Sequence, residues 1–86
     1  MFKSTNRILF QKLGSEAVLL NLENEEYYGL DKVGCRMWEV LMEVKTIESA
    51  LSILLMEYDI DKDILRRDLL KLISNLKTEK LIEDAE

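Results

Sequence analysis

Between Tyr27 and Val33 the spacing of apolar residues changes from the two-residue repeat of a strand to the repeat of a helix, and this change divides the chain. Tyr27-Tyr28-Gly29-Leu30 has the aromatics and alternation of a half-buried strand, with Tyr28 and Leu30 on one face and Tyr27 and Gly29 on the other. Asp31 follows at once, with an acceptor for the orphan N–H groups of a helix whose first apolar residue is Val33. Everything before this junction reads as strand and everything after it as helix.

Upstream, Arg7 to Leu13 and Ala17 to Leu22 are rich in Ile, Leu, Val and Phe, and Gly14-Ser15-Glu16 between them supplies a glycine for a positive φ. A second turn falls at Glu23 to Glu26, where Asn24 is the residue best suited to a left-handed conformation. The expectation is a three-stranded antiparallel meander whose last strand lies at an edge and buries Leu30 under the helices.

Downstream, a first helix is expected over about Lys32 to Val44, with Val33, Met37, Trp38, Leu41 and Val44 on one face and Arg36, Glu39 and Glu43 toward water. Thr46 caps a second helix carrying Ile47, Ala50, Leu51, Leu54, Leu55 and Tyr58. Asp61 caps a third that ends near Glu79 and places Leu65, Leu69, Leu72, Ile73 and Leu76 in one stripe. At about 100° per residue, Ile64, Asp68, Lys71 and Asn75 border that stripe, where a groove could form. The tail from Leu81 to Glu86 is partly apolar at Leu81 and Ile82, then acidic, and is expected to fray.

A chain of 86 residues suits one domain spanning 1–86, with a small core. With 17 acidic residues against 12 basic ones, its net charge of -5 disfavours a polyanion partner. The N-terminus lacks a signal-type apolar run, and no segment approaches the roughly 18 apolar residues of a membrane span. One cysteine permits no internal disulfide. Together these features point to a cytoplasmic protein with no membrane partner.

The residue inventory gives little to an enzyme. Histidine is absent, which removes imidazole catalysis and ligation, and the single Cys35 cannot build a thiolate metal site. Gly14, Gly29 and Gly34 are too scattered for a phosphate loop. Asp59-Ile60-Asp61-Lys62-Asp63 starts like a calcium loop but continues with Ile64 and has Leu70 in the place of the final glutamate. The acidic pairs Asp61/Asp63 and Glu25/Glu26 have no nucleophile beside them. No catalytic residue, metal or cofactor is expected, and Cys35 and Trp38 read as core. Tyr27 and Tyr28 stand on an edge strand whose unpaired backbone groups could accept an extended peptide.

The order of elements, with Leu22, Tyr27-Tyr28-Gly29-Leu30-Asp31, Gly34, Trp38 and the later Tyr58, Leu65, Asp68, Leu72, Leu76 and Leu81-Ile82, resembles the PqqD-like family of RiPP recognition elements. The resemblance runs from about Leu9 to Ile82 and implies an α+β, winged helix-turn-helix-like fold of three strands and three helices. It also implies capture of the leader segment of a ribosomally made precursor peptide, added antiparallel to the third strand and lying against the third helix. Carried over by position, the peptide-binding residues are Glu26, Tyr27, Tyr28, Gly29 and Leu30 on the strand and Ile64, Asp68, Lys71 and Leu72 on the helix. Glu25 and Lys80 depart from the pattern, since many members have glycine at both places. A free-standing copy of this size is similar to the B1 members that serve a separate leader peptidase in lasso-peptide systems, with chaperones of radical enzymes next. Such a protein is a non-enzymatic monomer or weak dimer whose partners are the leader and a separate processing enzyme.

The rival from another class is a winged-helix DNA-binding regulator whose third helix, with Lys62, Arg66, Arg67, Lys71, Lys77 and Lys80, enters a major groove. Asp61, Asp63, Asp68 and Glu79 share that helix, and the acidic chain lacks the basic footprint of a nucleic-acid binder.

Overall fold

A computed structural model describes residues 2–5 and 7–84. The chain forms β1 (Phe2–Ser4), β2 (Ile8–Leu13), β3 (Glu16–Asn21), β4 (Glu26–Leu30), α1 (Lys32–Val44), α2 (Ile47–Glu57), α3 (Lys62–Thr78) and β5 (Ile82–Asp84). The expected meander is present as an antiparallel sheet of order β2-β3-β4, which leaves β4 at an edge. The fold is α+β, with the three helices following that sheet.

Each helix starts where its cap residue stands. Asp31 accepts from the Gly34 N–H at 2.7 Å, Thr46 from the Ser49 N–H at 3.3 Å, and Asp61 from the N–H groups of Asp63 and Ile64. These bonds satisfy donors that a helix cannot pair internally. At Gly34 the approach is close, because an added Cβ would stand 3.1 Å from Asp31 Oδ1 and 3.5 Å from Leu30 Cδ2. Glycine there lets the cap and the strand end pack together.

The core lies between the inner face of the sheet and the helices. Ala17, Leu19 and Leu30 from the sheet meet Cys35, Met37, Trp38, Val40 and Leu41 of α1, and Leu51, Leu54, Leu65, Leu69, Ile73 and Leu76 close it from α2 and α3. The Phe10 and Trp38 rings stack with centroids 6.3 Å apart. Cys35 is buried, as its place beside Trp38 predicts, and burial raises its thiol pKa, with Glu39 adding to the shift. The expected inward face of α1 is corrected at its ends: Val33 is exposed and Val44 half-buried, while Cys35 and Val40 take the interior.

Two further expectations are overturned. Asn24 is not the left-handed residue of the second turn; Glu25 is, with φ 62°. The Asn24 side chain instead accepts the Glu26 N–H at 2.9 Å, and the Asn21 carbonyl accepts the Glu25 N–H at 2.8 Å. Nor does the tail fray from Leu81. β5 pairs antiparallel with β1, placing Phe2 opposite Asp84 and Ser4 opposite Ile82, so a two-stranded ribbon joins the meander. Phe2, Leu81 and Ile82 are all buried, and the Phe2 N–H donates to the Lys45 carbonyl at 2.7 Å. Burial of these apolar side chains outweighs the fraying expected of a terminus. Positions 85 and 86, the end of the acidic tail, lie outside the described residues.

Candidate functional site: an open strand edge facing a groove

The polarity of the β4 edge follows from register. The Leu22 N–H donates to the Arg7 carbonyl, so Leu22 directs its backbone groups toward the β2 side of the sheet. Antiparallel ladders alternate, which sends those of Leu20 and Val18 the same way and those of Ala17, Leu19 and Asn21 toward β4. Their partners across the ladder are Leu30, Tyr28 and Glu26. The N–H and C=O groups of Tyr27 and Gly29 therefore point out from the edge, where no strand borders β4 among the described residues.

Beside this edge runs α3, which packs on α2 and β5 and leaves a seam against β4. At the Leu30 end the seam opens into a groove of about 510 Å³. Val33 and Met37 of α1 form one wall, Tyr58, Asp59 and Ile60 of the link between α2 and α3 close one end, and Leu65, Asp68, Lys71, Leu72 and Asn75 of α3 form the other wall. A small recess of about 10 Å³ lies at the opposite end, where Glu26, Tyr27 and Tyr28 meet Glu79 and Leu81. With these recesses at its two ends, α3 runs antiparallel to β4.

Most of the residues proposed from the sequence gather here. Asp68, Lys71 and Leu72 line the groove, and Glu26, Tyr27 and Tyr28 the recess. Gly29 lies on the open edge, where an added Cβ would meet no atom within 4 Å, whereas the Leu30 side chain is buried beneath the helices. Ile64 is exposed on the first turn of α3 and does not line the groove; its neighbour Leu65 does. Sequence reasoning missed Val33, Met37, Tyr58 and Ile60 as lining residues, having placed the first three in helical core stripes. The available signal was Ile60, a lone apolar residue among the aspartates of the interhelical link. The walls are mainly apolar, and their charged groups are the carboxylates of Asp31, Asp59 and Asp68 with the ammonium of Lys71. An extended, partly apolar segment suits this seam: its backbone can pair with Tyr27 and Gly29, and the side chains opposite Tyr28 and Leu30 turn toward α3.

A family model described as coenzyme PQQ synthesis protein D (PqqD) matches residues 16–82. The chain belongs to this family. Its PqqD-like fold is that of a RiPP recognition element and is shared with two solved structures. One, described as TbiB1 in complex with the TbiA(beta) leader peptide, has 32% sequence identity and a TM-score of 0.89, covering 98% of this chain and 98% of that one. The other, described as lasso peptide synthetase B1 complexed with the leader peptide, has 20% identity and a TM-score of 0.86, covering 96% of this chain and 98% of that one. No curated protein matches the chain. Glu25 and Lys80, the two positions at which the resemblance leads one to expect glycine, adopt φ 62° and 59°, so this PqqD-family chain makes left-handed turns there without glycine. Among the described residues no helix is long and apolar enough to cross a membrane.

Proposed function

We propose that this protein captures the leader segment of a ribosomally synthesised precursor peptide as an added strand on β4 and delivers it to a separate processing enzyme. The observation that carries the reading is the outward pair of Tyr27 and Gly29 beside a mainly apolar groove on α3. Two residues with two groups each provide up to four backbone hydrogen bonds. At about 0.5–1.5 kcal/mol net apiece they give affinity without regard to side chains, and the groove supplies selectivity. The likeness to leader-bound B1 proteins supports a leader peptidase of lasso-peptide biosynthesis as the recipient, with a radical enzyme the next choice. A non-catalytic role in the cytoplasm, where ribosomal precursors arise, accords with this reading, as does a chain without histidine.

The DNA-binding alternative draws no support from α3. Arg66 is paired with Glu48 at 2.8 Å, Lys77 with Asp84 at 3.2 Å, and Lys71 shares the groove with Asp68. An amide NMR titration with the leader encoded beside this protein tests the proposal. Shifts confined to Tyr27–Leu30, the start of α1 and the groove wall of α3 are the expected result. Shifts on the opposite edge, β2, or no shifts with several leaders, would overturn it.

A further inference from the structure

A second cavity, of about 650 Å³, lies at the other end of the sheet from the groove, among the β3–β4 turn, the C-terminal end of α3 and the β1–β5 ribbon. Its lining is rich in hydrogen-bond donors, because the turn uses up the oxygens of two asparagines. Asn21 Oδ1 accepts the Glu23 N–H and Asn24 Oδ1 accepts the Glu26 N–H, both at 2.9 Å. These backbone donors fix which end of each amide is oxygen, so each side chain turns its NH2 group away from the turn. Asn21 is 6% exposed and is the only buried polar residue among the described ones. Its Nδ2 bonds to no described residue, and no buried side-chain nitrogen there lacks a partner, so this amide opens onto the cavity.

The charged groups around the basin are unequally engaged. Lys77 is shared with Asp84 at 3.2 Å, whereas Lys80 has no ion pair among the described residues. The Thr5 hydroxyl donates to the Lys80 carbonyl at 2.7 Å and holds that residue beside the basin. Of the two carboxylates, Glu83 is held by Lys3 at 3.5 Å and Glu23 is exposed.

The basin lies where a strand on β4 must leave the sheet. Asn21 stands opposite Glu26 in the β3–β4 ladder and also lines the small recess beside Tyr27 and Tyr28, so recess and basin meet at that residue. The ladders of this protein are antiparallel, the arrangement that is more stable per residue. A peptide added to β4 in the same sense enters at Leu30 and leaves past Glu26 with its C-terminal side. From the added strand to β3 is two strand spacings, about 10 Å, which about three extended residues cover. The recess itself disfavours an acid, since Glu26 and Glu79 both line it, and the donors begin beyond them.

Resting on the leader-binding reading, we propose that this basin is a second, polar subsite for the precursor. It takes the carboxylate of an aspartate or glutamate about three residues beyond the one opposite Glu26. Asn21 supplies a buried neutral donor and Lys80 the ammonium that the carboxylate meets, as charge-assisted bonds require. Backbone pairing alone would let a bound strand slip by two residues with its faces unchanged. An apolar anchor in the groove and an acidic anchor in the basin, at opposite ends of β4, hold it in one register.

The test uses the full chain and a series of fluorescently labelled leaders, from the precursor encoded beside this protein. Each carries one glutamate at successive positions C-terminal to the paired segment, with glutamine at the others, and an all-glutamine leader is the control. The expected result is a gain of about fivefold in affinity at one or two adjacent positions. Lys80→Gln should abolish that gain, and Asn21→Asp, which keeps an oxygen for the Glu23 N–H, should turn it into a loss. Both variants should bind the control leader within twofold of wild type. No preferred position, or a gain that survives Lys80→Gln, overturns the subsite. A gain only for glutamate placed N-terminal to the paired segment overturns the direction of exit and the subsite with it. Failure of the wild type to bind even the control leader is a separate result and removes the underlying reading. Should Asn21→Asp lose its circular dichroism spectrum, Lys80→Gln, at an exposed position, carries the same comparison.

Discussion

Replacing Gly29 by proline separates the peptide-binding role of β4 from its role in the sheet. The Gly29 N–H points away from β3, so proline removes a donor that no ladder bond uses. A Cβ at this position meets nothing within 4 Å, and Tyr28, the residue before it, is already extended, as proline requires. The folding cost should therefore be about 1 kcal/mol or less, mostly from narrowing φ. For a bound strand the loss is larger. One backbone hydrogen bond disappears, about 0.5–1.5 kcal/mol, and the peptide carbonyl left without a donor costs a further ~1–2 kcal/mol. Together these predict weakening by about 1.5–3.5 kcal/mol, roughly 10- to 300-fold in Kd. Gly29→Ala retains the N–H and should bind within about threefold of wild type. Tyr28→Pro, by contrast, removes a donor facing Leu19 and should unfold far more readily. Fluorescence anisotropy with labelled leader, paired with urea denaturation, reads both quantities. Wild-type affinity in Gly29→Pro would refute strand addition at this edge, and equal destabilisation by Gly29→Pro and Tyr28→Pro would refute the deduced register.

Leu30→Ala should cost about 2–5 kcal/mol in urea denaturation, because the side chain is 4% exposed beneath the helices. Glu25→Gly and Lys80→Gly should each raise stability by about 0.5–1 kcal/mol, since both residues hold a left-handed conformation that glycine adopts without strain; an unchanged or lower urea midpoint would contradict this. Arg36 binds Glu57 through two bonds of 2.7 and 2.6 Å, tying α1 to the end of α2. Hydrogen bonding to Arg36 lowers the Glu57 pKa, and the Coulomb attraction of the guanidinium adds to this against an opposing desolvation effect. A depressed folded-state pKa stabilises above the ordinary glutamate range, and the contribution is lost as pH falls through the depressed value. With both side chains about a third open to water, it should be no more than about 1 kcal/mol, and Arg36→Gln should lose it at neutral pH but not in acid.

What was legible in the sequence was local. Asp31, Thr46 and Asp61 announce helix starts because a cap needs only its own next turn, and the strand alternation at Tyr27–Leu30 fixes which face is buried. The β1–β5 pairing was not legible, because three-residue strands leave too few residues for a periodicity and their partners lie at opposite ends of the chain. The turn at Glu25 was misassigned for a related reason. Asn24 can either adopt the left-handed conformation or use its side chain as an acceptor, and the Glu26 N–H draws it into the second role. In the candidate site, order along the chain identified the edge strand, while helical spacing could not say whether an apolar residue at the end of a stripe enters the core or a groove. Val33 and Tyr58 were ambiguous in this way, and Ile64 and Leu65 could be told apart only once α3 was seated against the strand.

The β1–β5 ribbon makes the chain nearly a closed ring, since Phe2 and Asp84 sit opposite one another in a single ladder. A short linker across that gap would let the polypeptide be reopened elsewhere, and the exposed tip at Gly14-Ser15, between the two strands that do not carry the open edge, is the natural place to cut. Ends moved there would project from the tip of the β2–β3 hairpin, so a reporter or surface anchor could be attached while the edge at Tyr27 and Gly29 stays free.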